Sequence, residues 1–85
     1  MDISRAEQRI LHMLAQGGWI EVERSENRKV SRVICINREG WRALGLDILL
    51  FRKLKRRRAI ASKRGQPYRI TRRGLELVRS EFDNR

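Results

Sequence analysis

At 85 residues the chain has room for one small core, and it reads as a single domain over 1–85. Its 21 Lys and Arg against ten Asp and Glu leave a formal net charge of +11, a field that calls for a polyanionic or acidic partner. A single cysteine excludes an internal disulfide, and no apolar run approaches the roughly 18 residues of a membrane span. No membrane association is therefore expected, and with no export-signal core at the start the expected compartment is the cytoplasm.

The first element is a helix over residues 4 to 16. Ser4 and Glu7 have capping-box spacing, Ala6, Ile10, Met13 and Leu14 recur at helical intervals, and Gly17-Gly18 ends it. A hairpin follows. Trp19 to Arg24 alternates, with Ile20 and Val22 on one face and Glu21 and Glu23 on the other. Val30 to Ile36 is the returning strand, with Val30, Ile34 and Ile36 expected to share a face and Cys35 expected to be a small buried residue.

Residues 37 to 46 allow two arrangements. Asn37 can cap a short helix ending at Leu44, which would brace the next helix in a helix-turn-helix. Alternatively, Arg38-Glu39-Gly40 forms a turn and Trp41 to Leu44 a third short strand. The helix is the reading slightly favoured, although Gly40 inside it costs about 1 kcal/mol relative to alanine.

Residues 48 to 75 organise the rest. They hold eleven basic residues and no acid, while the other ten basic residues are balanced by the ten acids outside, so the net charge resides in this block. Asp47 caps a helix whose Leu50, Phe51 and Leu54 share one face, with Leu49, Arg52, Lys53 and Arg56 opposite. Ala59 to Ser62 and Pro67 to Ile70 read as two short strands around a Lys63-Arg64-Gly65-Gln66 turn. Thr71 caps a closing helix to about Phe82, whose Leu75, Val78 and Phe82 are expected to pack on the first helix. The expected fold is a small α+β, winged-helix-like domain: N-terminal helix, β-hairpin, basic recognition-type helix, wing hairpin and C-terminal helix. Its expected nucleic-acid contacts are Arg52, Lys53, Arg56, Arg57, Lys63, Arg64, Arg69, Arg72 and Arg73, facing duplex DNA. Trp19 and Trp41 are the candidates for protein contact.

Catalytic chemistry finds little support. One His and one Cys cannot build a zinc site of ordinary spacing, there is no glycine-rich phosphate loop, and His12 is the only imidazole base. The chain is expected to be a binding protein without a cofactor, not an enzyme.

SRAEQRILHMLAQGG near the start, NREGW at 37 to 41, FRKLKRRRAI at 51 to 60, GQPYRITRRGLELVR at 65 to 79 and the terminal DNR resemble the bacterial YjhX toxin family over essentially the full length. GQPYRI with the following Gly74, behind an FxKL helix, is the most specific part. The resemblance implies the toxin of a toxin–antitoxin pair, inhibiting DNA topoisomerase I by protein contact, with an acetyltransferase-like antitoxin. The concentrated charge adds a DNA-facing surface. The alternative reading is a winged-helix transcriptional regulator.

Overall fold

A computed structural model describes the backbone of residues 3–83 and the side chains of residues 3–79. Helix α1 (Arg5–Ala15) opens with the expected capping box: the Glu7 amide donates to Ser4 Oγ at 3.1 Å, and the Ser4 amide donates to Glu7 Oε1 at 2.9 Å. Its inward face is Glu7, Ile10, Leu11 and Leu14. Ala6 faces solvent, so the apolar stripe is centred one position later than its spacing suggests.

Strand β1 (Trp19–Arg24) pairs antiparallel with β2 (Val30–Ile36), setting Ile20 opposite Cys35 and Val22 opposite Val33. The face of β2 turned to the core is therefore Val33 and Cys35. The expected set of Val30, Ile34 and Ile36 is only half-buried. A bulge between Glu23 and Arg24 brings Arg24 opposite Val30, shifting the register near the turn.

Residues 37 to 46 form no helix. The Asn37 side chain accepts from the amides of Glu39 (3.1 Å) and Trp41 (2.8 Å), and Gly40 takes φ = 91° within the turn so closed. Arg42–Ala43 then adds β3 to the edge of β2, giving an antiparallel sheet in the order β1-β2-β3. The bracing helix of a helix-turn-helix is thus replaced by a turn and a strand. An asparagine that can close a turn with its own carboxamide outcompeted a helix already weakened by Gly40.

Helix α2 (Ile48–Arg56) begins at Asp47, whose Oδ1 accepts from the Leu50 amide at 2.8 Å. It seats Phe51 and Leu54 in the core. Strands β4 (Ile60–Ala61) and β5 (Arg69–Ile70) form a second, two-stranded antiparallel sheet. A reciprocal backbone pair joins the two sheets: the Ile20 amide donates to Tyr68 O at 2.9 Å and the Tyr68 amide to Ile20 O at 2.8 Å. Helix α3 (Arg72–Asp83) is capped by Thr71, whose Oγ1 accepts from the Gly74 amide at 3.0 Å. Leu77 and Val78 are its buried residues, whereas Leu75 stays 39% exposed. The expected Phe82 contact lies outside the described side chains.

The core unites Ile10, Leu11, Leu14, Ile20, Cys35, Phe51, Leu54, Ile60, Leu77 and Val78, drawn from both sheets and all three helices. Among the described residues, this α+β arrangement has three helices and antiparallel strands, and no helix is long and apolar enough to cross a membrane.

Candidate nucleic-acid interface

Alternation of contacts around α2 sorts its basic residues into three directions. Arg52 and Arg56 point outward and are exposed. Lys53 and Arg57 point back to α1, where they meet Glu7, a carboxylate with no exposed surface. Lys53 Nζ lies 3.3 Å from Oε1 of Glu7; Arg57 bonds through Nε to Oε2, with Nη2 3.5 Å from Oε1. Lys55 turns the third way, 5.7 Å from the ring centroid of Phe51 and 5.6 Å from that of Tyr68, which meet edge to face.

Two of the expected contact residues are therefore also paired within the fold. Lys53 and Arg57 neutralise Glu7, because a buried carboxylate is tolerated only when it is paired and hydrogen-bonded. Burial raises the Glu7 pKa, but bonds from the Ser4 amide, Arg57, the Ser4 hydroxyl and Lys53 outweigh it and hold the carboxyl below its ordinary value. Lys55 was missed by helical-wheel reasoning, which assigned faces from apolar spacing alone. The signal for it lay in Tyr68, the wing aromatic over which its ammonium sits.

Backbone conformation marks two further arginines. The last turn of α2 closes with the Ala59 amide on Leu54 O (3.0 Å) and the Arg58 amide on Lys55 O (2.9 Å), a Schellman closure that sets Arg58 at φ = 59°. At the tip of β4–β5, Arg64 and Gly65 both take positive φ, 54° and 75°, and the Gln66 amide bonds Lys63 O at 3.0 Å. Glycine or asparagine is the ordinary occupant of such positions, and arginine there costs about 1 kcal/mol. Arg28, in the β1–β2 turn, shares the conformation at φ = 63°. Arg58 stands just beyond α2 and Arg64 at the tip of the β4–β5 hairpin, both exposed.

The rest of the expected set lies beyond the hairpin. Lys63, Arg69 and Arg72 line one cleft, and Arg73 is exposed in the first turn of α3. Arg69 also stacks on Trp19, with Cζ 5.4 Å from the ring centroid, while Trp19 Nε1 donates to Glu21 Oε2 at 3.1 Å. Trp19 is half-buried and occupied within the fold, whereas Trp41 is 72% exposed. Among the described residues, no group of three or more His, Cys, Asp and Glu could hold a metal ion.

Residues 1–85 match a family profile described as "Putative toxin of bacterial toxin-antitoxin pair". The chain belongs to the YjhX toxin family. Similar curated proteins carry only the name UPF0386. One from Hyphomonas neptunium is 70% identical over 84 residues, covering 99% of both chains. Others from Agrobacterium fabrum and from Chelativorans sp. are 66% and 65% identical over the full length of both chains. No solved structure matches. Membership in this toxin family implies an antitoxin partner in general terms.

Proposed function

We propose that this YjhX-family protein is a non-enzymatic toxin that binds duplex DNA through the outward face of α2 and the adjoining wing, in the manner of a winged helix. The observation that carries the reading is the division of labour along α2. Lys53 and Arg57 are consumed by Glu7, while Arg52, Lys55 and Arg56 are exposed beside a wing whose tip holds Arg64 in a strained backbone. Phosphate neutralisation supplies the affinity, so binding falls with salt at a log–log slope of about −0.9 per phosphate contacted.

Inhibition of DNA topoisomerase I fits this surface as a ternary contact: the basic face lies on the DNA track while the protein touches the enzyme. For that second contact, the most exposed large apolar residues among those described are Trp41, Leu44 and Leu49, at 72%, 86% and 75% exposure, on either side of β3 and in the first turn of α2. Trp41 replaces Trp19 as the better candidate. The acetyltransferase-like antitoxin would cover one of these surfaces. A regulator reading is favoured by one feature, the helix–wing–helix order of α2, β4–β5 and α3. It lacks the bracing helix that secures a recognition helix in a groove.

Fluorescence anisotropy of a labelled random-sequence duplex, titrated from low to moderate salt, tests the reading. Tight binding that collapses with salt is expected. Absence of binding at low salt would overturn it.

A further inference from the structure

A second basic cleft lies beyond the β4–β5 hairpin. It has a volume of about 580 Å³ and takes Lys63 from the β4–β5 turn, Arg69 from β5 and Arg72 from the start of α3, with Gln66 and Thr71 among the polar residues of the wall. Among the described residues, none that lines it is acidic. Successive strand residues face opposite ways. Tyr68 turns toward Phe51 and α2, so Arg69 turns to the other side of the hairpin, where it meets Trp19. Arg69, and the part of the cleft it lines, is therefore on the face of the β4–β5 hairpin opposite α2.

Two features show charge concentrated there against the fold's own preference. The first turn of α3 contains Arg72 and Arg73 and no acid, although the N-terminal end of a helix favours negative charge. Arg69 is oriented by its stack on Trp19, which is itself fixed through Nε1 to Glu21. A guanidinium pre-set in this way loses less freedom on meeting an anion. The Thr71 hydroxyl is already committed, donating to Arg58 O at 2.7 Å and accepting from the Gly74 amide, so recognition falls to the three cations.

We infer that this cleft is a phosphate-binding site, distinct from the α2 face, in which Lys63, Arg69 and Arg72 converge on one phosphoryl group. The guanidinium forks supply paired N–H donors to phosphate oxygens, and the lysine adds a point charge. The group comes either from a nucleic-acid strand passing behind the wing or from a free polyphosphate. A site of this kind would let one molecule hold a duplex on α2 and a second phosphate-bearing ligand behind the wing.

Amide 1H–15N spectra of the whole protein, titrated with inorganic pyrophosphate at low salt, test the inference. Saturable shifts confined to residues 61–73 are expected. Lys63→Gln with Arg72→Gln should weaken pyrophosphate binding by about tenfold or more, while Arg52→Ala with Arg56→Ala should leave it intact. Shifts that never saturate, or that centre on α2, would overturn the site. Parallel titrations with short single-stranded and duplex DNA identify the source: displacement of pyrophosphate by a strand assigns the site to nucleic acid, and its persistence assigns a free polyphosphate. A silent cleft in a protein that still binds duplex refutes this inference alone. A responsive cleft without duplex binding refutes only the α2 reading.

Discussion

Glu7 on α1 and Arg57 at the end of α2, fifty positions apart in the chain, form an ion pair inside the protein, joined by Lys53. The pair fastens the basic helix to the N-terminal helix, and its carboxylate has no exposed surface. Removing that charge leaves two cations facing a neutral amide, whose NH2 can only repel them. Glu7→Gln should cost about 2 kcal/mol, or about 10 °C in the midpoint of thermal unfolding. The folded carboxyl titrates below its ordinary value of 4.5, so its contribution is present above that value and is lost as the pH falls through the lower folded value. Stability measured by denaturant titration from pH 7 down to acid should fall more steeply in the wild type than in Glu7→Gln.

The same pair separates two kinds of arginine on one helix. Arg52→Ala with Arg56→Ala should leave the melting temperature within a few degrees and reduce the salt slope of duplex binding by about 1.8, two phosphate contacts at 0.9 each. Arg57→Ala should do the reverse, lowering stability through the unpaired Glu7 with a smaller effect on the salt slope. If the first pair of substitutions leaves duplex binding unchanged, α2 is not the DNA-facing helix.

Local signals were legible in the sequence where the chemistry is local. Ser4 with Glu7, Asp47 and Thr71 each cap the helix that their position announces, and the Lys63–Gln66 turn stands where its glycine placed it. What failed was long-range. Glu7 reads as an ordinary capping residue, and nothing nearby in the chain says that Lys53 and Arg57 will come to it. Strand β2 is apolar on both faces near its end, so only the pairing of Ile20 with Cys35 decides which face turns inward. The basic block likewise reads as one surface because it is one stretch of chain. The β4–β5 hairpin divides it, sending Arg69 to the opposite side from Tyr68.

Arg64 offers a test in which stability and binding move in opposite directions. Its φ of 54° at the wing tip suits asparagine better than arginine. Arg64→Asn should therefore hold or raise the melting temperature, by up to about 1 kcal/mol in stability, while removing a charge from the tip. Duplex affinity should fall, with the salt slope reduced by about 0.9 if this side chain meets a phosphate. A loss of stability would show that the guanidinium is held for the fold's sake.

Gly74 lies where α3 crosses the start of the wing. A Cβ there would stand 2.4 Å from Ala59 O and 2.6 Å from Ile70 Cγ1, with backbone on one side and a packed side chain on the other. Neither can retreat without disturbing the β4–β5 hairpin, where the Thr71 amide also bonds Ala59 O at 2.9 Å. Gly74→Ala should destabilise by about 2 kcal/mol despite alanine's better helix propensity. It should also displace the wing, so amide shifts at residues 59–71 are the readout. An unperturbed spectrum would mean that α3 does not pack this closely.

Cys35 provides a chemical measure of the core. Its side chain is 1% exposed, opposite Ile20, with Sγ 3.7 Å from Met13 Sδ, and burial pushes its pKa up from 9.0 to about 11. The thiolate is the reactive species, so alkylation near neutral pH should proceed only through opening of the fold. Because the folded pKa is the higher one, the thiol's contribution to stability is intact below 9.0 and declines as the pH rises through about 11. Iodoacetamide labelling followed by mass spectrometry should give a rate that tracks stability across the variants above, fastest in Glu7→Gln and Gly74→Ala. Rapid labelling of the folded wild type at neutral pH would place Cys35 outside the core and undo the register that pairs it with Ile20.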